Sequence, residues 1–405
     1  MKKNKYLFFI LLIPLFFNSF VYAQDSNNII NFSYNYFSKE NWWTDYNNRG
    51  LEKSHLGFTL KNSKKVNQKW FLTFNSYKDK IILGESYFEY KINEKIKLKV
   101  GRYYRDFSQY LNSDLTSGSM LISQNAMPMP KIGINFSYNL KRYKKYSFHG
   151  GLAHASFEEN QVYNESPNLH EKFIYLNYKD NDKLFGLGFV HEAIWGGKTE
   201  NYNFPSSLKD YLKVFISADG PLLPGESHPN ALGNHLGIWD FYFYSFNKIT
   251  TKIYYQHFFE DTSGLRFANK YDGLWGIEFL DNENNNSFLI EYLDTTHQDD
   301  DPPYVYETYY NHYQYTDGWS YKNQALGNPH INFTNMNPLK VLHLGLSNKN
   351  SNFTSKFLLS RKVNEGDNFM SFISIEKKIN NFTYKLFIVN DLDISLGIKI
   401  NYYLL

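Results

Sequence analysis

The sequence predicts an all-β protein: a single closed, antiparallel transmembrane β-barrel of about 18 strands. Three observations lead there. Strict two-residue alternation of apolar and polar side chains recurs almost to the last residue. The links between alternating segments are by turns short and long. The chain also begins with an export leader.

The cleanest segment runs from Lys131 to Leu140. Ile132, Ile134, Phe136, Tyr138 and Leu140 fall on one face of a strand, with Lys131, Gly133, Asn135, Ser137 and Asn139 on the other, because successive side chains point opposite ways. A wall with lipid on one side and a wet interior on the other needs that pattern. Alternation marks strands at 29–37, 53–61, 68–77, 82–92, 95–105, 131–140, 146–157, 171–180 and 183–195. It marks more at 236–246, 250–259, 272–280, 286–294, 340–348, 352–361, 370–379, 382–389 and 393–404. An even count suits a closed bacterial barrel with both chain ends in the periplasm. The short links, such as Asp180 to Lys183 and Asn247-Lys248, are rich in Asn, Asp, Ser and Lys, as tight turns require. The long ones include 38–52, 106–130, 158–170, 196–235, 260–271 and 295–339. A soluble β-sandwich leaves this alternation of link lengths unexplained.

Lys2, Lys3 and Lys5 precede the apolar run Leu7–Phe17, and Val21-Tyr22-Ala23 offers a peptidase site. Residues 1–23 are therefore read as a signal peptide cut after Ala23, and 24–405 as the barrel. The apolar core is short for a helical span of ~20 residues. The first strand follows the leader so closely that no periplasmic module is expected between them.

Composition narrows the function. Aromatics make up 19% of the chain, with 35 Tyr and 35 Phe, which suits membrane girdles and ligand platforms alike. The absence of cysteine excludes disulfides, thiolate metal sites and cysteine nucleophiles. A net charge of +3 gives no reason to expect nucleic acid. Lys61, Lys64, Lys65 and Lys69, and Lys141, Arg142, Lys144 and Lys145, lie in periplasmic turns; the outer loop 295–339 sets Asp299, Asp300, Asp301, Glu307 and Asp317 against Lys322 alone. The outer end is thus neutral to acidic and poorly suited to capturing polyanions by charge.

The long links hold the motifs. Ser117-Gly118-Ser119 leads to Asn125-Ala-Met-Pro128-Met-Pro130. His191-Glu-Ala-Ile-Trp195-Gly196-Gly197 meets the central loop, which runs on through Asp210–Phe215 to Asn234-His235 and Trp239-Asp240. Gln256-His257, Asp272-Gly273-Leu-Trp275, Asp317-Gly318-Trp319-Ser-Tyr321 and Gly327-Asn-Pro329 follow. In this order, from about Arg102 to Pro329, these segments resemble the capsule assembly protein Wzi family of outer-membrane barrels, in particular its Bacteroidetes branch. The resemblance implies an 18-stranded barrel whose long extracellular loops occlude the outer end. It also implies a non-catalytic, lectin-like role in anchoring or organising capsular polysaccharide. The chain departs from the family at Met127, where a basic residue is expected, and at Asn323, where a glycine is. It shows no helical periplasmic plug and no final aromatic.

A pyranose offers an apolar C–H face and a rim of hydroxyls, which Trp and Tyr faces and Asn, Asp and His groups complement. Trp195, Asn234, His235, Trp239, Asp240, Trp275, Asp317, Trp319 and Tyr321 are accordingly the candidate polysaccharide contacts. Taken singly, each is also what a girdle or a shaped loop would contain. Asp299–Asp301 have the oxygens for Ca²⁺ but no ligand spacing. His191, His235, His257 and His312 fall at no metal-ligand spacing, and no Gly-x-Ser-x-Gly elbow exists. No catalytic residue, metal or cofactor is therefore expected. A general or glycan-selective porin is the alternative, with Lys97, Lys99, Lys356 and Lys399 lining a pore; those lysines would equally brace a plugged lumen. A barrel hydrolase of envelope glycans or lipids is the third reading. Expected partners are surface polysaccharide, outer-membrane lipid and the barrel-assembly machinery, with the protein itself monomeric.

Overall fold

A computed structural model describes residues 28–404, apart from segments 39–48, 52–54, 63–67, 78–79, 159–161, 223–228, 261, 298–308, 335–336, 351–352, 365–368 and 392. The expected leader and its cut after Ala23, the turn residues Lys64 and Lys65, and Asp299–Asp301 with Glu307 lie outside the described residues.

The first half of the wall comprises β1 (Asn28–Phe37), β2 (His55–Asn62), β3 (Gln68–Tyr77), β4 (Lys80–Leu83), β5 (Ser86–Lys91), β6 (Ile96–Arg102), β7 (Pro130–Asn139), β8 (Tyr146–Ser156), β9 (Asn168–Asp180) and β10 (Lys183–Trp195). The second half comprises β11 (Asn234–Ser245), β12 (Ile249–Phe259), β13 (Gly273–Asp281) and β14 (Asn286–Asp294). After a loop hairpin of β15 (Ser320–Tyr321) and β16 (Gln324–Ala325) come β17 (Lys340–Lys349), β18 (Phe353–Lys362), β19 (Phe369–Ile379), β20 (Phe382–Asn390) and β21 (Ile394–Leu404). Each wall strand pairs antiparallel with its neighbours, and β1 closes on β21 from Ile30 opposite Leu404 to Phe37 opposite Gly397. Closure leaves no edge, so every ladder group in the lipid has a partner.

The nineteen segments of the sheet make 18 strands, because β4 and β5 are one strand broken by a bulge. Phe74 faces Leu83 but Phe71 faces Tyr87, so Gly84, Glu85 and Ser86 oppose two residues of β3. Gly84 N donates to Thr73 O at 2.8 Å, and Ser86 Oγ accepts from Thr73 N at 3.0 Å in place of a ladder carbonyl. The expected strand 82–92 is this bulged pair. The expected strand 95–105 stops at Arg102, where the chain turns into the lumen.

Side-chain parity follows the alternation. Ile132, Ile134 and Phe136 are exposed on the outside, while Lys131 is buried inside. Because the outer face is solvated by lipid, the apolar core lies in the lumen. Leu115, Met120 and Leu121 of the loop after β6 meet inward Phe258, Leu289, Leu358 and Phe372 there. Short turns join strands at the end where β1 begins and β21 finishes, which identifies the periplasmic end.

The central loop, read from sequence as irregular, contains helix α1 (Leu208–Phe215). Ser207 and Asp210 form a reciprocal capping box, with Ser207 N donating to Asp210 Oδ2 at 2.9 Å. Tyr211 and Val214 pack on Ala193, Trp195 and Leu232. Ala193 and Trp195 share a strand face with exposed Phe185 and Leu187, so α1 lies against the outside of the wall.

A charge on the lipid face should destabilise according to depth. Leu187→Arg, well inside the apolar band, is expected to cost about 2–4 kcal/mol and Leu404→Arg, at its edge, about 0–1. Denaturant titration of folding into lipid vesicles reads both.

Candidate functional site

The loop between Arg102 and Pro130 does not stay outside. It enters the lumen and sweeps past the inner faces of successive strands, meeting a polar group at each. Asp106 accepts from Lys99 Nζ (3.2 Å) and Asn135 Nδ2 (2.7 Å). Asp240 of β11 accepts from Ser108 Oγ and Tyr175 OH, both at 2.7 Å, and from the Tyr110 hydroxyl. Glu278 of β13 accepts from Asn112 Nδ2 at 2.5 Å and pairs with Lys252. Glu291 of β14 accepts from Thr116 Oγ1 (2.6 Å) and Ser117 N (2.5 Å). His343 Nε2 lies 2.7 Å from Leu115 O, and Lys356 donates to Asp114 at 3.1 Å. Lys356 draws the Asp114 carboxyl below its ordinary range, while burial and then Asp240 push the Tyr110 phenol far up. The returning arm is tied to the descending one by Gln256. Its Oε1 accepts from Met120 N at 3.1 Å and its Nε2 donates to Ser108 Oγ at 3.0 Å.

A second loop, described from Tyr309 to Leu339 apart from 335–336, lies over this plug as a lid. Tyr310 OH donates to Met120 O at 2.6 Å. Asn328 Nδ2 reaches Gly118 O (2.8 Å) and Ser117 Oγ (3.2 Å), and Asn125 Nδ2 reaches Gly327 O at 3.0 Å. Gly327 has no room for a Cβ, which would strike Tyr310 and Met120. Lys322 and Asn323 both have positive φ (51° and 62°) in the hairpin turn between β15 and β16. Asn adopts that conformation nearly as readily as the glycine expected at 323. Arg102 joins the lid to the wall through Tyr321 OH (3.3 Å) and Glu158, which Lys322 also holds. Burial alone would raise the Glu158 carboxyl, but these two cations keep it below its ordinary range.

Under the plug's entry, four ionisable groups share a buried site. Arg105 Nε lies 3.0 Å from both Glu171 Oε1 and Glu192 Oε1, and Lys131 Nζ lies 3.0 Å from Glu171 Oε2. Buried charges persist only when paired in this way. At the outer ends of β13 and β14, Asp272 Oδ2 accepts from Tyr309 OH at 2.5 Å and Oδ1 from His297 N at 2.7 Å. Asp272, Asp294 and His297 are the group of described residues whose donor atoms could close on a metal ion, within 4.8 Å of one another. Their nearest oxygens already accept from His297 N, Tyr309 and Thr296.

The sequence-named residues divide by position. Ser117, Gly118, Ser119, Asn125, Pro128, Gly318, Trp319, Tyr321, Gly327 and Pro329 lie in the plug, the lid or the seam between them, and Asp240 and Gln256 reach the plug from β11 and β12. Trp319 is wholly buried. Pro130 opens β7, and Gly196 and Gly197 turn the chain out of β10 at positive φ. Asn234 is buried at the head of β11. His191 and His235 pair at 2.9 Å beneath α1, with Ser217 Oγ 3.0 Å from His191 Nε2. No carboxylate orients that pair among the described residues, and His191 Nδ1 has no partner. Trp195 lies under Tyr211, ring centres 5.4 Å apart. Trp239 and Trp275 face the outside of the wall, Trp275 stacked 3.7 Å from Tyr255 and Trp239 donating to Leu265 O. His257 stacks on Phe267 at 4.1 Å, and Gly273 follows Asp272 into β13. Asp317 O accepts from Ser320 Oγ at 2.7 Å. Among the described residues, the aromatics most open at the outer end are Tyr271 and Tyr313, each over 60% exposed and each beside a histidine, His297 and His312. Neither lies in a motif, and no sequence signal separates them from the chain's other tyrosines.

The chain matches the family model described as "Capsule assembly protein Wzi" over residues 20–403. It belongs to that family, whose members are capsule-assembly barrels of the Gram-negative outer membrane. No curated protein gives a match. Among solved structures, the chain is similar to Pseudomonas aeruginosa OccK5 (OpdH), with 10% identity, TM-score 0.46, and coverage of 94% of this chain and 98% of that one. It is also similar to a mutant of the Rh. blastica porin, with 9% identity, TM-score 0.41, and coverage of 94% and 99%.

Burial, with Asp294 nearby, pushes the Asp272 carboxyl up to about 6 despite its hydrogen bonds from Tyr309 and His297 N. Between its ordinary value of 3.8 and about 6 only the folded state holds this proton. Stability should therefore fall as pH rises through that window and level off above it. Thermal melts across pH 4–7 should show this component in the wild type and lose it in Asp272→Asn.

Proposed function

We propose that this barrel binds surface polysaccharide at its sealed outer end and helps hold capsule at the cell, acting as a lectin and not as a catalyst. In this reading the leader is removed after Ala23, and the barrel works as a monomer in outer-membrane lipid. The supporting observation is the seam between plug and lid. Asn328, Tyr310 and Asn125 lock two loops together across the lumen, with the plug tied to β12 through Gln256, which favours a fixed platform over a conduit. Tyr271 and Tyr313 offer that platform exposed rings with polar neighbours, the chemistry a pyranose face and rim require. The resemblance of the motifs to the family, stronger along the seam than at these rings, supports a shared architecture with a ligand-specific surface.

Deleting the gene should move capsule from the cell-associated to the released fraction; unchanged attachment would overturn the proposal. Tyr271→Ala with Tyr313→Ala should weaken binding of purified capsule roughly three- to tenfold, as expected for losing rings worth ~0.5–1.5 kcal/mol beyond their area. In planar bilayers the wild type should give no steady large channel, whereas such channels would favour a porin.

A further inference from the structure

One part of the lumen is not filled. Between the plug and the inner faces of β1, β2, β3, β20 and β21 lies a cavity of about 260 Å³, roofed by Tyr104, Met127 and Pro128 of the plug. Its wall carries four cations, Arg49, Lys356, Lys385 and Lys399, against two carboxylates, Glu85 and Asp114. Asp114 is already taken by Lys356 at 3.1 Å. Lys385 and Lys399 have no ion pair or hydrogen bond among the described residues, and they stand directly opposite each other on β20 and β21. Like charges at paired positions destabilise a sheet. Glu376 flanks Lys385 on β19 but lies beyond ion-pairing distance, and it faces the adjoining space instead. That space, about 430 Å³, shares Asp114, Lys356 and Lys385 with the cavity and runs down to turn residues Asn282, Asn285 and Lys349 at the periplasmic end.

We infer that this cavity is an anion site, open from the periplasm, that takes one oxyanion group between Lys385 and Lys399. An oxyanion there neutralises both ammonium groups at once and removes their mutual repulsion, with Arg49 close enough to share the charge. Asn, Ser and Thr side chains such as Asn75 and Thr59 line the remaining surface and suit hydroxyls better than a lipid tail. The volume lies just under the ~300 Å³ at which ordinary ligand pockets begin, so the ligand is small. A sugar acid presenting a carboxylate, or an inorganic sulfate or phosphate, supplies this chemistry. The site is separate from the outer platform and does not depend on it.

The test is calorimetric titration and thermal melting of the full-length mature barrel in detergent micelles at constant ionic strength, with chloride as background. Galacturonate, sulfate and the neutral sugar galactose are the probes. Galacturonate and sulfate should bind and raise the melting temperature, and galactose should not; galacturonate alone doing so identifies a sugar-acid site. Lys385→Met with Lys399→Met should bind at least tenfold more weakly. Without anion, the same variant should melt no lower than wild type, because it loses a repulsion and no ion pair, while Lys385→Met keeps an apolar contact in place of the Lys385 ammonium 5.6 Å over the Phe372 ring. Lys97→Met, near the periplasmic turns, is the control for general charge loss and should bind as wild type. No binding by either anion overturns the inference. So does equal binding by the double variant, or a double variant that melts well below wild type without anion.

Discussion

Everything above the periplasmic turns depends on three inward carboxylates. A loop can enter a barrel lumen only if its own polar groups find partners there, since an unpaired backbone group away from water is expensive. Asp240, Glu278 and Glu291 sit on β11, β13 and β14 and take donors from Ser108, Tyr110, Asn112, Thr116 and Ser117 in chain order. Charge-assisted hydrogen bonds of this kind are about twice as strong as neutral ones. They also run both ways: a buried carboxylate without the loop would itself be unpaired. Plug and wall therefore stabilise each other, and neither arrangement is favourable alone.

The lid inherits its position from the plug. Tyr310 and Asn328 bind carbonyls of Met120 and Gly118, which are where they are because Gln256 and Glu291 fix the loop on either side. The plug is also asymmetric. It leaves space against β1 to β3 and β20 to β21, where Lys385 and Lys399 face, and below it towards the turns after β13 and β17.

Much of the wall was legible in the sequence. Lys131 to Phe136 is buried and exposed in alternation as written, a pattern lost from Ser137 where the strand nears its turn, and Lys99 and Lys356 brace the plug through Asp106 and Asp114. Period-two patterning survives because one face meets lipid along its whole length. The loops were less readable. Where Arg102 turns inward is decided by residues distant in sequence, Glu171, Asp240 and Glu291, and no local pattern encodes such partners. Helix α1 did leave a signal in Ser207 and Asp210, a capping box inside a stretch otherwise lacking helical context. Trp319 and Asp240 have the right chemistry for sugar. Composition, however, does not distinguish a ring offered to solvent from one buried beneath a lid.

That difference changes what the family motifs mean. Ser117, Gly118, Asn125, Gly327 and Pro329 meet at one seam, and each is needed there for a hydrogen bond or a close backbone approach. The motif residues that meet at the seam specify closure and leave the ligand open. In the proposed function, ligand contacts come from side chains that the seam leaves accessible, and surface loops are where variation is tolerated. Tyr271 and Tyr313 are such residues, exposed and outside the seam. In the proposed reading the seam fixes the architecture, and the rings left open beside it meet the glycan.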